Sequence, residues 1–131
     1  MELEPDGEVT AAECRQLIAS ESVGRLALCV HALPVILPVQ YYVDGDAIAI
    51  CLGHHEVPPS SIDGTVVAFA VDSMAPDRVS GWSVHCTGTL ALPAAAGGAL
   101  DCGQPTAGQV IRFEPVVVTG ERLRLCPFLT F

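Results

Sequence analysis

Behind an acidic start, apolar positions recur once at helical spacing and then at strand spacing. Thr10-Ala11-Ala12-Glu13 is a capping box, in which the Thr10 hydroxyl accepts from the Glu13 backbone N–H and the Glu13 carboxylate reaches back to the N–H of Thr10. Cys14, Leu17 and Ile18 follow on one stripe, and the pattern stops near Glu21-Ser22, so a short helix lidding one end of a barrel is expected. From Gly24 onward β-branched and aromatic residues dominate. Strands are expected over 26–30, 35–43, 47–52, 65–71 and 82–90, with a sixth from Val110 through Pro115 towards Leu123. Asp44-Gly45-Asp46 is a hairpin turn, because glycine accepts the positive φ that tight hairpins require. Pro38 suits an edge or a bulge. Residues 53–63 read as a loop, and the Ala/Gly/Pro-rich stretch 93–108 as a linker that buries too little to hold a shape alone. Short strands with turns every ten or so residues predict a mainly β, antiparallel barrel in a single domain over 1–131, which begins with an acidic tail at 1–9. The apolar end, Leu125 to Phe131, is expected to pack on the barrel or on a partner subunit.

Charge narrows the partners. Fifteen acidic against six basic residues give a net charge of -9, which repels nucleic-acid phosphates and anionic lipid. All six basic residues are arginines, so chemistry that needs a lysine amine is excluded. No apolar run approaches the length of a membrane span, and Met1-Glu2-Leu3-Glu4 lacks the basic head of a signal peptide, so a cytoplasmic protein is expected. The six cysteines are then expected to be reduced thiols, most of them core residues.

Other candidate chemistry is weak. Cys51, His54 and His55 with His85-Cys86 are the nearest approach to a metal set, yet no C-x2-C pair exists and a metal site is not expected. Asp44 and Asp46 bracket a turn glycine, which accounts for them. Cys14 sits in the first helical turn but beside Glu13, which opposes a thiolate. Gly97-Gly98 lacks the strand-to-helix context of a phosphate loop. No catalytic residue emerges.

One ordered set of segments does carry a resemblance. Val23-Gly24-Arg25-Leu26, Pro38-Val39-Gln40-Tyr41-Tyr42-Val43-Asp44-Gly45-Asp46, Gly81-Trp82-Ser83-Val84 and the closing Thr119-Gly120-Glu121-Arg122-Leu123 resemble the FMN-binding split β-barrels related to pyridoxamine 5'-phosphate oxidase. The resemblance runs from about Thr10 to Leu123. It implies a six-stranded antiparallel split barrel with a short N-terminal helix, which forms a homodimer with flavin sites between subunits. It further implies an FMN-dependent oxidoreductase acting on a small molecule, with the segment Val39, Gln40 and Tyr41 along the flavin ring and Trp82 close to the cofactor. Cys51 and Leu52 occupy the positions where relatives place an Arg and a Thr on the flavin phosphate, and Glu56-Val57 the region where they place a Lys. Losing charge-assisted donors of this kind costs about 1.5–3 kcal/mol each. His54 and His55 remain as donors in that loop, and Arg25, Arg78 and Arg122 as other anion partners, with Arg122 near the dimer interface. Two readings stay open: a flavin enzyme using FMN or the deazaflavin F420, and a non-enzymatic barrel that lost its phosphate clamp and binds haem, a metal or an uncharged ring.

Overall fold

The computed structural model describes residues 3–52, 62–77, 79–92 and 110–125, with side chains 3–6 and 125 excepted. His54, His55, Glu56, Val57, Arg78 and the 93–108 linker therefore lie outside the described residues, as does the end of the chain beyond Leu125. The elements are β1 (Leu3–Glu8), α1 (Ala11–Ala19), β2 (Val23–Val30), β3 (Leu33–Asp44), β4 (Ala47–Cys51), β5 (Val66–Met74), β6 (Ser80–Ala91) and β7 (Val110–Leu125). All strand pairings are antiparallel, in the order β1-β7-β4-β3-β2-β5-β6, and a further β7–β6 pairing closes the ring. The mainly β, antiparallel barrel expected from the periodicity is therefore present.

The strand count is seven, where six were expected. The additional strand is β1, formed by part of the expected acidic tail. Its cause lies in β7. One edge of this long strand follows β6 from Arg112 to Arg124, while the other meets β4 only from Val110 to Phe113. Open edge groups need partners, and β1 takes up the far stretch, pairing Leu3 with Leu125 and Glu8 with Glu121. Pro5 and Gly7 carry no strand signal, and Pro5 is tolerated because the strand is at an edge.

Helix α1 begins as the capping box predicts. Thr10 accepts from the Glu13 N–H at 3.2 Å and its hydroxyl donates to the Glu13 carboxylate at 3.1 Å. The helix packs against β7, β3 and β6, and buries Cys14 and Ile18. Alternation along the strands points Leu26, Leu28, Val39, Tyr41, Ile48, Ile50, Val67, Phe69, Val71, Val84, Leu90, Ile111 and Phe113 into one core.

The β2–β3 hairpin turns on His31 and Ala32, both at positive φ (51° and 65°), with Val30 paired to Leu33. Two consecutive left-handed residues make the type I′ geometry that Asn-Gly prefers, and each L-residue with a Cβ gives up about 1 kcal/mol there. Replacing both, His31→Asn with Ala32→Gly, is expected to stabilise the fold by about 1 kcal/mol. A denaturation midpoint unchanged from the parent would show that the turn holds no strain.

Candidate functional site

The outer face of the barrel wall carries two of the sequence candidates that reach solvent, Gln40 and Arg25. Across five strands the register runs Ile36, Ala27, Ala68, Thr87, Val117, and beside it Pro38, Arg25, Ala70, His85, Thr119. Three alanines at its middle make this wall flat, and Ile36 and Val117 at its flanks are 68% and 54% exposed. Gln40 lies on the same face, in register with Val23 on one side and Cys51 on the other. Polar contacts cluster at the centre: Arg25 Nη1 meets Asp72 Oδ2 at 2.9 Å, and Ser83 Oγ lies 2.6 Å from His85 Nε2. Sequence reasoning missed the Ser83–His85 pair as a unit, although residues two apart on a strand share a face. Ser83 is nearly closed off from solvent, so this pair is a braced polar contact of the wall and does not present an accessible nucleophile.

The other candidates are divided between core and barrel end. Val39 and Tyr41 flank Gln40 in sequence but point inward, and Leu52 belongs to the same core. Cys51 shares the outer side with Gln40, is buried, and is disulfide-bonded, which corrects the expectation of reduced thiols at this position. Among the described residues, Cys14, Cys29 and Cys86 are free. The arginine closest in register to Cys51 on this side is Arg112, two pairs further along β4–β7 opposite Ala49. It is held by Asp44 at 3.6 Å and Glu114 at 3.4 Å. Nothing in the sequence marks it, because β4 and β7 meet only through the sheet.

Trp82 pairs with Arg122 across β6–β7 and packs half-buried on the core. The Arg122 guanidinium meets the Glu13 carboxylate at 3.0 Å, joining β7 to the start of α1. Hydrogen bonds from the Thr10 hydroxyl and Thr10 N–H, then Arg122, hold the Glu13 carboxyl below the usual carboxylate range. The fold thus brings Gln40 to Cys51 and Trp82 to Arg122. The two pairs stand three strand spacings apart around the wall through β2 and β5, about 14 Å. Among the described residues no three His, Cys, Asp or Glu side chains gather as a metal site.

Tyr41 ties the wall to the helix, its buried hydroxyl donating to the Ile18 carbonyl at 2.5 Å. Burial, with the Glu21 charge adding to it, pushes its pKa well above the ordinary tyrosine value. A raised folded-state pKa gives stability that is fully present below the unfolded value of about 10 and is lost as pH climbs beyond it. Tyr41→Phe is expected to cost about 1 kcal/mol at neutral pH through the lost hydrogen bond, and to reduce the loss of stability above pH 10. Parallel alkaline profiles for variant and parent would refute this role.

The chain agrees with known proteins in sequence and in shape. The family model described as pyridoxamine 5'-phosphate oxidase matches residues 10–96, well over half of the chain. An uncharacterized protein of Mycobacterium tuberculosis, Rv0080, is 40% identical over 86 residues, which cover 62% of this chain and 57% of the relative. The chain therefore spans a little over half the length of that curated relative. Among solved structures, a FAD binding protein from Mycobacterium smegmatis superposes with a TM-score of 0.72 at 22% identity, covering 90% of this chain and 98% of that one. A putative pyridoxamine 5'-phosphate oxidase from Corynebacterium glutamicum gives 0.69 at 20% identity over 96% and 98%. A FAD and heme binding protein from M. smegmatis gives 0.66 at 13% over 99% and 77%. The closed antiparallel ring, the turn and strand segments around Gly24, Gln40 and Trp82, and the family match over residues 10–96 all lead to one conclusion, that this chain belongs to the pyridoxamine 5'-phosphate oxidase family.

Proposed function

We propose that the protein is a flavin-binding oxidoreductase of this family, acting as a homodimer on a small molecule, with the flavin ring laid against the outer wall beside Gln40. The observation that carries this reading is the wall itself. Ala27, Ala68 and Ala70 leave a strip without large side chains beside the Arg25–Asp72 and Ser83–His85 contacts, flanked by exposed Ile36, Val66 and Val117. Apolar faces of this kind are covered by a partner in working proteins, and a flat heterocycle fits between two such walls. The names of two solved relatives as FAD binding proteins support the same cofactor class. A second copy would also let Trp82 and Arg122 of one subunit approach Gln40 of the other.

The wall suits a flat ring; among the described residues a flavin phosphate meets no free clamp. Leu52 is in the core, Cys51 is disulfide-bonded, and Arg25 and Arg112 are each engaged by carboxylates. A bound flavin would supply the electron transfer, while the chain supplies position and exclusion of water. The commitment of Arg25, Arg112 and Arg122 to carboxylates favours the second reading, a non-enzymatic barrel that holds an uncharged ring.

Incubation of the purified protein with excess FMN, FAD or F420, followed by desalting and a visible absorbance scan, separates the two. A retained flavin or deazaflavin band supports the first reading and names the cofactor; a bare trace with all three leaves the second, and a Soret band points to haem. Ala68→Arg, on an exposed position of the wall, is expected to convert a dimer into a folded monomer that retains no flavin. A variant that still sedimented as a dimer with full cofactor would remove the wall from the interface.

A further inference from the structure

A cavity of about 230 Å³ opens at the gap where β4 and β1 part company along β7. Between Glu114 and Thr119 the edge of β7 turned away from β6 has no strand partner among the described residues. Helix α1 covers this split only in part. The floor is apolar, made by Ile18, Ala47, Ile48 and Val118, with Cys86 beneath. The volume exceeds the roughly 150 Å³ in which an apolar cavity takes up benzene, so one ring or one branched chain fits.

The rim is charged on both sides. Arg15 of α1 and Asp46 of the β3–β4 turn both line the opening and both are exposed. Arg25, Arg112 and Arg122 are all matched with carboxylates, whereas neither Arg15 nor Asp46 has an ion-pair partner among the described residues, and they do not reach each other. A single apolar body flanked by one uncommitted guanidinium and one uncommitted carboxylate is complementary to a zwitterion. A simple fatty acid would meet repulsion from Asp46, and an amine repulsion from Arg15. Burial raises the Cys86 thiol to about 11, so the floor offers no thiolate and binding is non-covalent.

We propose that this cavity binds a free α-amino acid with an apolar side chain, its carboxylate on Arg15, its ammonium on Asp46 and its side chain over Ile18, Ile48 and Val118. None of the outer-wall residues lines this cavity, so the site stands or falls independently of the flavin reading.

The test is a titration of the isotopically labelled full chain with L-leucine and L-phenylalanine, followed by amide shifts. Saturable shifts centred on Ile18, Asp46, Ala47, Ile48 and Val118 are expected for at least one of the two. Arg15→Ala and Asp46→Ala are each expected to weaken binding about tenfold or more, as are the two ligand fragments, 4-methylpentanoate and 3-methylbutylamine. Both substitutions fall on exposed side chains, and an unchanged thermal melt confirms that each variant is folded. The proposal is overturned by the absence of saturable shifts at millimolar ligand, by either fragment binding as tightly as the amino acid, or by folded variants that retain full affinity.

Discussion

Gly88→Ala is expected to cost about 3 kcal/mol or more, a large part of the stability of a domain this size. A Cβ at position 88 would fall on the carbonyl oxygen of Glu114 and lie 2.8 Å from both the Glu114 carbonyl carbon and Pro115 Cα. All three are backbone atoms, so no side-chain rotation relieves the clash. The cause is a bulge: Thr87 pairs with Val117 and Gly88 with Pro115, leaving Val116 as the extra residue that bends β7 across the wall. Closing the ring depends on that bend, since β7 must follow β6 along most of its length and still reach β4. In a chemical denaturation series the midpoint should fall sharply. A variant within 0.5 kcal/mol of the parent, the range of ordinary surface changes, would show that β6 and β7 can separate at Gly88 at little cost.

Phe69→Ala is expected to cost about 4 kcal/mol. The ring is 1% exposed, meets Tyr41 edge-on with centroids 5.1 Å apart, and stacks at a tilt on Phe113 at 5.8 Å. Its removal would open a cavity where β2, β3 and β7 face one another. The same ring explains Gly24. A Cβ there would stand 2.5 Å from Phe69 Cζ and 2.8 Å from Cε1, so the ring occupies the space the glycine leaves. Gly24→Ala should therefore destabilise the parent by about 2 kcal/mol, and by clearly less in a Phe69→Leu background. The double-mutant cycle reads this as a coupling of at least 0.5 kcal/mol. Additive costs would mean that Gly24 is required by the Ala70 carbonyl at 3.1 Å, and not by the ring.

Gly24 also shows why the sequence segments around it could point to the fold without pointing to the activity. Its motif is a packing constraint, and packing constraints repeat wherever the barrel repeats. Gln40 is different: its neighbours Val39 and Tyr41 point into the core, and only alternation brings Gln40 to the wall. Leu52 was expected at a phosphate, yet its side chain forms part of the core, because Cys51 and Leu52 necessarily face opposite sides of β4 and its continuation. Arg122, expected near a subunit interface, holds Glu13.

By itself the sequence determined the element types, the capping box at Thr10, the hairpin at Gly45 and the antiparallel barrel, since each is a local consequence of period, cap or turn chemistry. Only the tertiary structure decided the rest. It recruited Leu3–Glu8 as a strand because β7 had an open edge, brought Arg112 to the side of Cys51, made Ser83 and His85 part of one polar cluster with Arg25 and Asp72, and placed Arg15 and Asp46 on either side of one cavity. These are contacts between residues far apart in the chain or on different elements, set by register and closure of the ring, and no spacing along the sequence encodes them.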